Sequence, residues 1–168
     1  MNRIRTGPGI AVSLLVSVAY LQATPLQTPR EKRIELFSES EASELRIDEN
    51  WDPVPRARSA PLGPGIVVQS PALKRIDGNA TIEASSPTSF VVRFEENQAP
   101  IDMSSLEVTA HKGLFRVSLT DTLLPYVQGT VLAVDGVDVP SGKFQIRIHI
   151  KDAKGQETVQ TYRLIVGE

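Results

Sequence analysis

Histidine is the side chain best suited to acid–base chemistry and metal binding near neutral pH, and the chain has two, His111 and His149. His149 lies between Arg147 and Lys151 on the predicted outward face of a strand, and His111 stands beside Lys112 at a predicted strand end. Both positions are typical of solvated surface residues. The two imidazoles would share a metal only if the fold brought them together, and the sequence gives no reason to expect that.

The other residue types that carry catalysis are absent or lack their motifs. There is no Cys, which excludes thiol catalysis, disulfides, thiolate metal sites and lipid attachment through a cysteine. Ser104-Ser105 lacks the Gly-x-Ser-x-Gly setting of a nucleophile elbow. The candidate acidic ligands of the C-terminal part are spread without the clustered motif of a calcium site; they include Glu95, Glu96, Asp102, Asp135, Asp138 and Asp152. We therefore expect no enzyme activity, no catalytic residue, no cofactor and no metal.

The N-terminus has the three-part pattern of a secretory signal peptide. Arg3 and Arg5 precede an uncharged apolar run over Ile10–Leu21, and small residues allow cleavage after Ala19 or Ala23. The alternative is an uncleaved membrane anchor, but the apolar run is shorter than the roughly 20 residues of a membrane span. The sequence therefore predicts a signal peptide over residues 1–23 and export to the periplasm, the cell surface or the medium, with a membrane association only if the segment is uncleaved.

Residues 24–64 have the composition of a linker. Proline recurs, charges are dense, and only the stretch over residues 31–47, with Phe37 and Leu45 among its charges, allows a short amphipathic helix. Trp51 is the only tryptophan of the chain. It is interpreted either as a tether residue that packs back on the folded domain or as an anchor for a partner protein.

From residue 65 to residue 168 the pattern is that of short strands separated by Gly, Pro and Asp. The clearest case is the last hairpin, in which Phe144, Ile146, Ile148 and Ile150 alternate with polar residues along one strand. The partner strand is expected to turn Tyr162, Leu164 and Val166 inward. About seven such strands without a long helix predict an all-β sandwich of two sheets. The net charge of −2 shows no basic stripe, so no nucleic-acid partner is expected.

Three stretches resemble the immunoglobulin-like domains of exported bacterial proteins, a group that overlaps fibronectin type III and cadherin-like sandwiches. They are VVQSP from Val67, VVRFEENQAPIDMSSLEVT from Val91, and the closing VPSGKFQIRIHIKDAKGQETVQTYRLIV from Val139. In the last, a Pro-x-Gly turn leads into an alternating strand that ends in Asp-x-x-Gly. The resemblance implies Greek-key topology over residues 66–166 and a role as a spacer, adhesion module or accessory domain; it does not imply a ligand.

Three functions remain as hypotheses. The first is a non-enzymatic interaction or structural module that binds a protein partner through a sheet edge or loops; Leu123, Leu124 and Tyr126 form its candidate contact patch together with Trp51, unless that loop only covers the core. The second is a carbohydrate-binding or cell-wall-associated module, which requires an exposed row of aromatic residues. The third is a small metal-dependent enzyme, which requires a pocket that joins His111 or His149 to acidic residues.

Overall fold

The computed structural model describes residues 33–47 and 62–167. The predicted signal peptide and Trp51 lie outside the described residues. Neither helix of the described part has the length and apolar character needed to cross a bilayer. In chain order the elements are β1 Ile34–Glu35, α1 Glu39–Leu45, β2 Gly65–Ser70, β3 Leu73–Ile76, β4 Asn79–Ser85, β5 Thr88–Glu95, β6 Ile101–Lys112, β7 Phe115–Ser118, α2 Thr120–Leu123, a 3-10 turn Leu124–Tyr126, β8 Val127–Gln128, β9 Val131–Asp138, β10 Gly142–Asp152 and β11 Glu157–Gly167.

The strands form two sheets that pack face to face. The smaller sheet has the order β1-β9-β5-β2, with β8 also paired to β9, and the larger has the order β3-β4-β11-β10-β6-β7. The chain crosses between the sheets after β2, β4, β5, β7 and β9. Strand β4 runs parallel to the last strand, β11. This is a Greek-key sandwich of the immunoglobulin-like class, as predicted.

The closing hairpin has the predicted orientation. Strands β10 and β11 pair antiparallel from Gly142↔Val166 to Lys151↔Glu157. The alternating apolar residues of β10 are buried, as are Tyr162, Leu164 and Val166 of β11. A slip of one residue would expose this whole row, so burial of one face fixes the register.

Residues 33–47 differ from the predicted flexible linker, because they belong to the folded unit. Strand β1 pairs in parallel with β9, and the amide of Ile47 donates to the carbonyl of Lys143 at 2.9 Å. The helix expected somewhere in residues 31–47 is α1. It begins with a capping box, in which the Ser38 hydroxyl accepts from the amide of Glu41 and the Glu41 carboxylate accepts from the amide of Ser38.

This N-terminal segment contributes to the core of the sandwich. Leu36, Phe37, Ala42 and Leu45 are all buried. The ring of Phe37 packs edge-on against that of Phe144 in β10, with 4.8 Å between the ring centres. Because these side chains fill one end of the space between the sheets, the packing of the sandwich extends to residues that precede its first long strand.

An apolar cavity of about 50 Å³ lies between the two sheets. Its walls come from both sheets and include Val68, Phe90, Val92 and Ile148. Tyr162 is the one lining residue with a polar side-chain group; its hydroxyl donates to the side chain of Gln160, and burial raises its pKa well above the ordinary value. A small cavity with such walls is expected to stay dry.

Candidate binding site

The hairpin of β6 and β7 ends in an exposed apolar tip. Lys112 pairs with Phe115, which leaves Gly113 and Leu114 as a two-residue turn, and Gly113 has the positive φ of 59° that such turns favour. Leu114 is fully exposed and Phe115 is 40% exposed. The pattern of short strands over residues 65–168 did not reveal this tip. The signal was the glycine before two large apolar residues.

Strand β7 is an edge of the larger sheet. The amide of Leu119 donates to the carbonyl of Val108 at 2.9 Å, and hydrogen-bonded pairs alternate along an antiparallel ladder. From this alternation, the peptide groups of Arg116 and Ser118 point away from β6. No strand among residues 33–47 and 62–167 pairs with this outer side of β7. Helix α1 also packs next to β6 and β7. With respect to strand pairing, the edge has two residues whose N–H and C=O groups are left for a partner.

A charged groove of about 230 Å³ lies beside this edge, on the outer face of the larger sheet. The register of three neighbouring strands creates it: His111 of β6 lies opposite Arg116 of β7, and Glu107 of β6 lies opposite His149 of β10. Between these two rows, Arg147 of β10 lies opposite Thr109 of β6. The six residues that line the groove are Glu107, Thr109, His111, Arg116, Arg147 and His149.

The groove brings together the two histidines that the sequence gave no reason to pair. His149 also meets acidic residues: its Nε2 lies 3.1 Å from Glu157 and its Nδ1 lies 3.7 Å from Glu107. The carboxylates of Glu107 and Glu157 thus lie at opposite nitrogens of the His149 ring. A metal ion bound to either ring nitrogen would therefore reach only one of the two carboxylates. Within the described ranges, no group of three or more His, Cys, Asp or Glu is placed to hold a metal.

His111 is partly buried rather than freely solvated. Its Nε2 lies 2.6 Å from the hydroxyl of Thr109. Burial lowers the pKa of His111, and the positive charges of Arg116 and Arg147 lower it further, against a smaller opposite effect of Glu107. The imidazole is therefore neutral at pH 7 and keeps one N–H to donate.

The structure separates the predicted contact patch. Leu123 at the end of α2 is buried in the core, whereas Leu124 is exposed and Tyr126 is half-buried against the core. The loop carries the chain from β7 in the larger sheet to β8 in the smaller one. Leu123 therefore covers the core, as the alternative interpretation expects. Of the three patch residues that the structure describes, Leu124 is the most exposed.

The aromatic side chains of the described residues do not form the exposed row that stacking on sugars requires. Phe37, Phe94, Phe144 and Tyr162 are buried, and Phe115 is the only one that counts among the exposed large hydrophobic residues of this part of the chain. The structure thus adds no support to carbohydrate binding.

No protein-family model matches the chain. No curated protein matches it either. Among solved structures, CopC from Methylosinus trichosporium OB3b is 15% identical, with a TM-score of 0.35 over 61% of this chain and 92% of that chain. Murine CRIg is 7% identical, with a TM-score of 0.34 over 62% of this chain and 98% of that chain.

Proposed function

We propose that the chain is a non-enzymatic interaction module that binds an extended segment of a partner protein along strand β7. The observation that carries this proposal is an edge strand, β7, whose outer side pairs with no strand of residues 33–47 and 62–167 and which directly follows a fully exposed leucine, Leu114. Such an edge takes up an extended peptide as an additional strand, in which main-chain hydrogen bonds give affinity and neighbouring side chains give specificity.

The other edges of the two sheets are less suited to strand addition. The edge of the smaller sheet next to β9 consists of the two-residue strands β1 and β8, which are too short to seat an extended segment. Strand β2 has a register irregularity between Val68 and Ser70 and is followed by Pro71, and bulges and prolines interrupt edge pairing. Strand β3 carries two adjacent cations, Lys74 and Arg75, which are typical protection of an edge. Strand β7 has one charge in four residues and no bulge in its pairing with β6.

Binding would combine two kinds of contact. The outward peptide groups of Arg116 and Ser118 would pair with the backbone of the partner segment. Leu114 and Phe115 would pack against its apolar side chains, because large exposed apolar residues at a sheet edge favour burial by a partner. The bound segment would extend the larger sheet from six strands to seven.

The site of action follows from the N-terminal pattern. Arg3 and Arg5 before the apolar run over Ile10–Leu21 support export, so we propose that the partner is met in the periplasm or at the cell surface. Intact mass of the native protein tests this step: a soluble exported chain that starts at Tyr20 or Thr24 supports it, and a full-length cytosolic chain contradicts it.

The binding proposal is tested by selecting peptides from a displayed library of random nonapeptides against the purified full chain. The test variant is Ser118→Pro, which removes an N–H that points away from β6 and leaves the ladder with β6 intact. The matched control is Leu73→Pro at the opposite edge of the same sheet. In the β3–β4 ladder, Leu73 lies opposite Ile82 at a position whose N–H also points outward by the same alternation.

We expect the selected peptides to lose at least tenfold in affinity for Ser118→Pro and to keep their affinity for Leu73→Pro. Thermal unfolding of both variants verifies that the sandwich is retained. Selection of no peptide, or of peptides that bind Ser118→Pro as well as they bind the unaltered chain, would refute binding at this edge.

A further inference from the structure

We propose that the charged groove beside β7 is a carboxylate-binding subsite, which makes the module selective for acidic extended segments. This inference rests on the proposed function, because the groove opens next to the edge at which the segment would add. It assigns the chemical class of the partner, which neither the edge nor the apolar tip determines.

Arg147 supplies one cation of the subsite. Its side chain is exposed, and it forms no ion pair with the residues that the structure describes. It stands between two threonines, opposite Thr109 on one side and Thr161 on the other. Arg147 lines the groove together with Thr109, which is itself buried.

Arg116 supplies the second cation. Its nearest carboxylate oxygen, on Glu107, lies 3.9 Å away, which is beyond hydrogen-bond distance. Arg116 therefore retains its N–H donors for a ligand, and a guanidinium binds a carboxylate through two parallel hydrogen bonds. Its position on β7 places it at the border between the groove and the added segment.

The remaining groups of the groove suit the same ligand. The neutral imidazole of His111 and the hydroxyl of Thr109 are hydrogen-bonding groups next to the two arginines. Glu107 is the one carboxylate among the lining residues. One of its oxygens faces Arg116 and the other faces His149. Two guanidinium groups against one carboxylate leave the groove complementary to an additional negative charge.

Strand geometry brings a ligand carboxylate to this place. A segment added to β7 lies about 4.8 Å from it, and every second side chain of that segment projects on the outer face. A Glu or Asp in the position opposite Arg116 would thus lie next to that guanidinium. Arg147 lies on β10, three strand spacings or about 14 Å from the added segment, and would act through the positive charge that it gives the groove. This geometry, together with the charge of the groove, identifies an acidic peptide as the occupant.

The experiment uses the peptides selected from the random library against the full chain. We expect Asp or Glu to be enriched in them, and replacement of that residue by Gln or Asn to weaken binding about tenfold. On the double variant Arg116→Gln and Arg147→Gln, the acidic and amide peptides should bind within twofold of each other. The matched control is Arg75→Gln, an exposed arginine at the other edge of the sheet, which should leave the discrimination unchanged.

The outcomes distinguish the subsite from the edge. Peptides that are sensitive to Ser118→Pro but show no acidic enrichment and no difference between Glu and Gln would overturn the subsite and leave the proposed function intact. Discrimination that survives in the double variant would also overturn it. Failure to select any peptide sensitive to Ser118→Pro would overturn the proposed function and the subsite with it.

Discussion

The N-terminal segment should be required for stability, and Phe37→Ala tests this most directly. Phe37 is 3% exposed and packs edge-on against Phe144 at 4.8 Å. Truncation of a buried phenylalanine costs about 3–5 kcal/mol, through lost transfer free energy and the cavity that remains. Whole domains have free energies of unfolding of about 5–15 kcal/mol, so this one contact should account for a large fraction of the total.

Equilibrium unfolding in urea measures the effect. With a slope of about 2 kcal/mol per molar, a loss of 3 kcal/mol lowers the unfolding midpoint by about 1.5 M. The control is Glu44→Ala on the exposed face of the same helix, which should change the free energy of unfolding by about 0.5 kcal/mol or less. A loss below about 1 kcal/mol for Phe37→Ala would refute the conclusion that this segment packs in the core.

Two further predictions concern titrating groups. Hydrogen bonds from the backbone and hydroxyl of Ser38 lower the pKa of Glu41. The capping box therefore stabilises the fold fully above the unfolded pKa of that carboxyl, and this stabilisation is lost as the pH falls through the folded pKa. Ser38→Ala should lower the free energy of unfolding by about 1 kcal/mol at pH 7 and by less in acid, as measured by urea unfolding at both pH values. Arg147→Gln should raise the pKa of His111 towards its ordinary value, modestly because burial is the larger cause, and an unchanged NMR titration of the His111 ring would place the guanidinium away from it.

The strands of the sandwich could be predicted because their evidence is local. In β10 every second residue from Phe144 to Ile150 is apolar, and this alternation determines both the element and its buried face. Segment 33–47 lacks such a signal. Its apolar residues are few. The segment is ordered because Phe37 and Leu45 pack in the core between the sheets, and this tertiary contact leaves no trace in the local sequence pattern.

The candidate site could not be predicted for a related reason. His111 and His149 stand 38 positions apart, and each has the surroundings of an ordinary surface residue. They line one groove because β6 and β10 pair antiparallel with Thr109 opposite Arg147. That register is set by the buried side chains on the opposite face of the same strands. The groove residues themselves therefore carry no sequence signal that predicts their proximity.

The apolar cavity between the sheets, which is expected to exclude water, has a volumetric consequence. Water fills such space when the chain unfolds, so the unfolded protein and its solvent occupy less volume than the folded protein, and the void of about 50 Å³ corresponds to roughly 30 mL/mol. Hydrostatic pressure therefore favours the unfolded state. Enlarging the void by shortening Val92 or Ile148 would make the sandwich more sensitive to compression, even under conditions in which heat and urea leave it folded.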